Sequence, residues 1–164
     1  MVKLVVSNTS PLSNLGVIGK LPLLRQIYPK LIVPSAVYKE LAKFPTIQGE
    51  LSALVQCGWL KVLPVKNQAM LKILSNRLDP GEAAAISLAI EIKAHRLLID
   101  ERLGRQTAIE YGLKIRGILG ILANAKALGM ISALRPILDE LIEQAGFWVS
   151  PVLYQRILKD AGEI

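Results

Sequence analysis

Short apolar runs alternate along this chain with longer stretches of helical spacing, and the alternation predicts its architecture. Lys3-Leu-Val-Val-Ser7 is β-branched and apolar on both faces, which suits a buried parallel strand in mid-sheet. Ser10 with Pro11 supplies a helix cap and an early proline, and Leu12, Leu15 and Ile18 then repeat at helical spacing until Gly19. A second helix is expected over 21–27 and a second strand over 31–33. Pro34-Ser35 then caps a helix carrying Val37, Leu41 and Phe44 inward until Pro45 ends it. Farther on, the pattern predicts a helix over 47–55, a strand over 60–63 and a short helix over 69–74. Asp79-Pro-Gly-Glu82 reads as a turn into a helix over 83–94, apolar almost all round and therefore buried. A strand over 97–99, a helix over 102–111 and a fifth strand over 113–115 follow. Three amphipathic stretches, over 118–128, 133–144 and 151–158, close the chain, the last capped by Ser150. Strands alternating with helices argue an α/β fold with a mostly parallel sheet covered on both faces, whose reactive groups gather outside the carboxyl ends of the strands.

No linker, repeat or low-complexity tract interrupts the pattern, so residues 1–164 are expected to form a single domain with C-terminal helices from about residue 118. A domain of this length buries roughly 70% of its unfolded surface, enough for a core without staples. Hydrophobic residues make up 52% of the chain, but charges interrupt every apolar run before the roughly 18 residues a membrane span needs. Leu4 to Val6 is too short an apolar run for a signal peptide, so a cytoplasmic protein with no membrane partner is expected. Cys57 and His95 are each the only residue of their type, which excludes an intrachain disulfide and a cysteine-rich zinc site. A formal net charge of +7 favours an anionic partner, with nucleic acid ahead of membrane.

The strand-end rule selects few polar side chains: Asn8 and Thr9 after the first strand, Ser35 and Glu40 after the second, and Asp100 with Glu101 after the fourth. Glu82 joins them from the first turn of the buried helix, where the helix dipole favours negative charge. Oxygen donors of this kind suit Mg2+ or Mn2+, which accept carboxylate, amide oxygen and water. Each residue also has a plainer role open to it. Glu40 can pair with Lys43, Glu82 can be ordinary first-turn charge, and Asp100 can cap the helix beginning near Arg102. Asp79 reads as a turn residue, His95 as solvated at a helix end, and Cys57 as a small buried filler. A Ser-His-Asp hydrolase has no Gly-x-Ser-x-Gly elbow here, and a dinucleotide site has no Gly-x-Gly-x-x-Gly after the first strand.

Val5-Val-Ser-Asn-Thr-Ser-Pro-Leu12 resembles the opening strand and turn of PIN domains, where the pattern runs Asp-Thr-Ser. Glu40 within Val37-Tyr-Lys-Glu-Leu41 resembles the second acidic position of that superfamily, and Pro80-Gly-Glu-Ala-Ala-Ala-Ile86 and Leu97-Leu-Ile-Asp-Glu101 resemble the third and fourth. The tail from Gly117-Ile-Leu-Gly-Ile-Leu122 through Gly129 and Gly146-Phe147 is similar to a prokaryotic subgroup of PIN-like proteins. The resemblance implies a three-layer α/β/α sandwich and an Mg2+- or Mn2+-dependent endoribonuclease of the VapC toxin type, cutting RNA as a homodimer held by an antitoxin. It places the metal among Asn8, Glu40, Glu82 and Asp100, with Glu101 sharing or replacing the role of Asp100. Asn8 stands where the pattern has Asp, which keeps one carbonyl oxygen but removes a negative charge. That departure favours a second reading, a catalytically degenerate PIN-like module acting as a binding or regulatory partner. A third is a basic RNA binder whose acids are structural.

Overall fold

The computed structural model describes residues 3–164. Five strands, β1 (Val5–Ser7), β2 (Leu31–Pro34), β3 (Leu60–Leu63), β4 (Arg96–Leu98) and β5 (Ile115–Arg116), form one sheet in the order β3-β2-β1-β4-β5. Every pairing is parallel, with Val6 aligned to Ile32 on one side and to Leu97 on the other. Parallel neighbours need crossover connections, and helices supply them. α1 (Thr9–Val17) and α2 (Leu21–Ile27) link β1 to β2; α3 (Ser35–Leu41) and α4 (Gln48–Gln56) link β2 to β3. α5 (Gln68–Ser75) and α6 (Pro80–Glu91) link β3 to β4, and α7 (Arg102–Glu110) links β4 to β5. α8 (Ile118–Ala127), α9 (Arg135–Gln144) and α10 (Pro151–Asp160) complete the chain.

All three residues of β1 and all four of β2 are buried. Successive strand side chains point to opposite faces, so both faces of the central sheet are covered and the expected three-layer α/β/α arrangement holds. The largely apolar stretch in α6 is buried as its composition requires: Gly81 through Ala89 are all buried, Glu82 and Ser87 included. Its alanines let the helix approach the sheet closely, where it touches β1, β2 and β4. At the other end of the chain, Glu163 ties three elements together. Its carboxylate accepts from the Leu134 and Arg135 N–H groups at 2.6 and 3.0 Å and pairs with Lys126 Nζ at 2.9 Å. Partial burial raises its pKa, but these donors outweigh that and hold the group at about 2.

Several local expectations are corrected. Residues 79–82 are the cap and first turn of α6 rather than a turn ahead of it: Asp79 Oδ1 accepts the Glu82 N–H at 2.8 Å, and Pro80 takes the first helical position. The helix after β2, α3, ends at Leu41, and Phe44 lies beyond it, 36% exposed, because the chain turns outward through Lys43 N–H to Glu40 O. Asn8, not Ser10, occupies the cap position of α1, because its N–H still completes the ladder to Leu98 O at 2.9 Å. Cys57 is exposed at the end of α4 rather than buried. β5 falls at 115–116 instead of 113–115, because Gly112 to Lys114 carry the chain from the α7 cap to the sheet edge.

Gly16 in α1 meets the side chain of Ile47: a Cβ there would stand 2.5 Å from Ile47 Cγ2. Ile47 is fully buried and stiff at χ1, so it cannot swing aside. Gly16→Ala is expected to lower stability by about 1–2 kcal/mol net, overpacking outweighing the helix-propensity gain. Urea midpoints check this. In an Ile47→Ala background the Gly16→Ala loss should largely vanish, since the methyl it strikes is gone.

Candidate active site

β1, β2 and β3 step in one direction across the sheet, and the chain then returns to place β4 on the other side of β1. The boundary between β1 and β4 is therefore a topological switch point, where parallel sheets open a crevice at their carboxyl ends. Asn8 follows β1 directly and Asp100 follows β4 by two residues, so both stand at this crevice. Asn8 is 3% exposed, and its Oδ1 is buried without a hydrogen-bond donor. Asp100 Oδ1 accepts the Ile118 N–H at the start of α8 at 2.8 Å, whereas its Oδ2 is buried and unpartnered. Its capping role thus belongs to α8 rather than to α7.

The remaining acids reach the same rim from the helices. Glu40, on α3, accepts from Thr9 Oγ1 at 2.5 Å, and no ion pair joins it to Lys43 among the described residues. Its carboxylate lies over Gly81, where a Cβ would stand 2.5 Å from Oε1. Glu82 is the next residue, 7% exposed, and a Cβ on Gly104 of α7 would stand 2.7 Å from its Oε2. A Cβ on Gly117 would likewise stand 2.7 Å from Asp100 Oδ1 and 2.5 Å from Arg105 Nη1. Glu101 is exposed and accepts from Ser10 Oγ at 3.3 Å. Thr9 and Ser10 thus hold Glu40 and Glu101, and glycines at 81, 104 and 117 lie against Glu40, Glu82 and Asp100. Asp79, Arg105 and those glycines are participants the residue pattern did not single out. Asp79 was legible in principle, since Asp-Pro three residues before an acid is a helix-start signature.

Burial pushes the Glu82 carboxyl up to about 8, reinforced by its hydrogen bond to the Asp79 side chain, by the Asp79 charge and by Glu101. Burial also pushes Asp100 up to about 6, against the Ile118 N–H and the Arg105 guanidinium, which favour its ionised form. His95 lies away from the rim, its N–H bonded to Leu4 O at the opposite end of the sheet. Desolvation and the charges of Lys3, Lys114 and Arg96 lower its pKa.

A family model described as a PIN domain matches residues 4–163. The chain belongs to the PIN-domain family. No curated protein matches the sequence. PIN domains generally use divalent metals, and the donors of this one can be tested against such an ion. Among the described residues no three His, Cys, Asp or Glu side chains are gathered as a ready ligand set. Each acid is turned toward a protein partner instead: Glu40 to Thr9, Glu82 to Asp79, Asp100 to Ile118. Yet two buried oxygens, Asn8 Oδ1 and Asp100 Oδ2, have no partner. Unpaired buried acceptors are costly and uncommon, and hard oxygen atoms fit a cation that takes few protein ligands and keeps its waters.

The raised pKa values set a pH dependence for this PIN domain without metal. Glu82 and Asp100 hold protons in the fold that the unfolded chain releases near their ordinary 4.5 and 3.8. Their contribution is therefore full below those values and is lost as pH rises through about 6 for Asp100 and about 8 for Glu82. Urea midpoints in EDTA should fall between about pH 5 and pH 8, and Glu82→Gln should remove most of the fall above about pH 6.

Proposed function

We propose that this PIN domain is a divalent-metal-dependent endoribonuclease. The observation that carries the reading is the pair of unpartnered buried oxygens, Asn8 Oδ1 and Asp100 Oδ2, at the ends of adjacent strands. These two, with Glu40 and Glu82, would hold Mg2+ or Mn2+, and Glu101, whose charge acts on both Glu82 and Asp100, would join them through a water. The ion supplies a Lewis acid and a lowered pKa for bound water, the chemistry phosphodiester hydrolysis needs. The chain's own residues do the positioning. Thr9 orients Glu40, Ile118 N–H orients Asp100, and the side-chain hydrogen bond with Asp79 orients Glu82. Arg105 stands beside Asp100 and, with Arg102 earlier on the same helix, offers guanidinium groups to backbone phosphates without reading sequence. The net charge of +7 supports an RNA substrate by the same electrostatic argument.

The VapC-type toxin assignment, with a homodimer and an antitoxin partner, rests on the sequence resemblance and belongs to this proposal. So do a cytoplasmic location and a single domain over 1–164. Among the described residues no helix is long and apolar enough to cross a membrane. One observation favours a second reading, a catalytically degenerate module that binds rather than cuts. Asn8 supplies an amide where the family pattern has a carboxylate, and no three acids converge among the described residues.

Asn8→Asp separates the two. It restores one negative charge at nearly constant shape, so an intact site should bind Mn2+ more tightly by calorimetry and cleave single-stranded RNA faster, by roughly tenfold or more. Asp100→Asn in that background should abolish both. If neither the natural protein nor Asn8→Asp binds Mn2+ or cleaves, the degenerate module stands. Gly81→Ala offers a check on Glu40: the added methyl must displace that carboxylate, so Mn2+ affinity should fall while the melting temperature changes by only a few degrees.

A further inference from the structure

The sheet has a second concavity at the end opposite the acids. A cavity of about 510 Å3 opens across β1, β2 and β3 near their amino ends, within the roughly 300–1,000 Å3 range of small-molecule sites. Lys3 precedes β1, Lys30 precedes β2, and Lys61 lies in β3 aligned with Ile32. These three lysines line it together with Gly58 and six aliphatic residues, among them Val5, Ile32 and Leu60.

The composition of this lining restricts what can occupy it. It contains no acid, no aromatic ring, no hydroxyl and no side-chain amide. A nucleotide or sugar would find no ring to stack on and would leave its hydroxyls and base edges unpaired against aliphatic walls, at the usual cost of burying polar groups. Hydrocarbon suits the walls. The lysines are exposed and line the cavity, and such side chains can lay their stems along an apolar surface while keeping the ammonium group in water. None of the three is in an ion pair among the described residues. Three like charges around one opening repel one another and raise the local potential, which an anion relieves.

We propose that this cavity binds a free amphipathic monoanion, an aliphatic chain of medium length with its acidic head among Lys3, Lys30 and Lys61. The site shares no residue with the carboxylate rim and is independent of the nuclease reading. Calorimetry with hexanoate, octanoate and decanoate tests it on the full chain. Affinity should rise about fourfold per added methylene until the cavity is filled. Lys3→Gln/Lys30→Gln/Lys61→Gln should weaken decanoate binding by about tenfold or more with the fold intact by circular dichroism. Val55→Phe, which adds a ring to a half-buried wall, should block decanoate while leaving the lysines in place. The proposal is overturned if decanol binds as tightly as decanoate, or if inorganic phosphate binds as tightly as decanoate. It is also overturned if decanoate gives no heat, or if binding is seen only to phosphatidylglycerol vesicles.

Discussion

β1 is three residues long, and most of the molecule is organised by its being paired on both sides. Val5, Val6 and Ser7 are buried, so the strand can exist only where β2, β4 and the covering helices exclude water together. Its ladder continues one residue beyond its nominal end through Asn8 N–H to Leu98 O. That bond sets Asn8 at the crevice and makes the next residue the first of α1. A slip of one residue would turn Val6 to the opposite face and carry Asn8 with it.

The carboxyl end of the sheet concentrates acids, and the fold offsets their repulsion in three ways. α1, α3, α7 and α8 all begin within a few residues of a strand's end, so the positive ends of four helix dipoles converge there. Glycines at 81, 104 and 117 admit carboxylates that a Cβ would exclude. Burial then keeps a proton on Glu82 near neutral pH and on Asp100 below about pH 6, which lowers the charge actually present. An amide at position 8 acts in the same direction, since a carboxylate there would be a further buried charge beside Asp100. Stability of the metal-free fold and affinity for a cation thus pull position 8 in opposite directions.

The two ends of the sheet consequently differ in chemistry. The carboxyl end is lined by oxygen donors with Arg105 beside them, and the amino end by aliphatic walls and lysines. A parallel sheet creates this asymmetry because all its strands present the same end to the same side. The overall positive charge is therefore not spread evenly over functions. Arg105 on α7 stands at the site proposed for RNA, while Lys3, Lys30 and Lys61 line a separate opening.

The architecture was legible in the sequence because hydrophobic periodicity reports burial directly. Continuous apolar runs marked β1 and β2, and an all-round apolar helix marked α6 as central. The chemistry was partly legible, because acids placed at predicted strand ends must share a rim once the strands are parallel. Helix and strand limits shifted by a few residues where a backbone bond crossed elements, as Asn8 to Leu98 and Asp79 to Glu82 show. Partners chosen across the fold were invisible: Glu40 takes Thr9 rather than Lys43, and Asp100 caps α8 rather than α7. Sequence spacing ranks only near neighbours, whereas burial makes a carboxylate accept whichever donor the packed sheet and helices bring within reach. The residues and their order along the chain determined which elements form and which acids stand at their ends; only tertiary packing decided which oxygens are satisfied and which, on Asn8 and Asp100, are left without a partner.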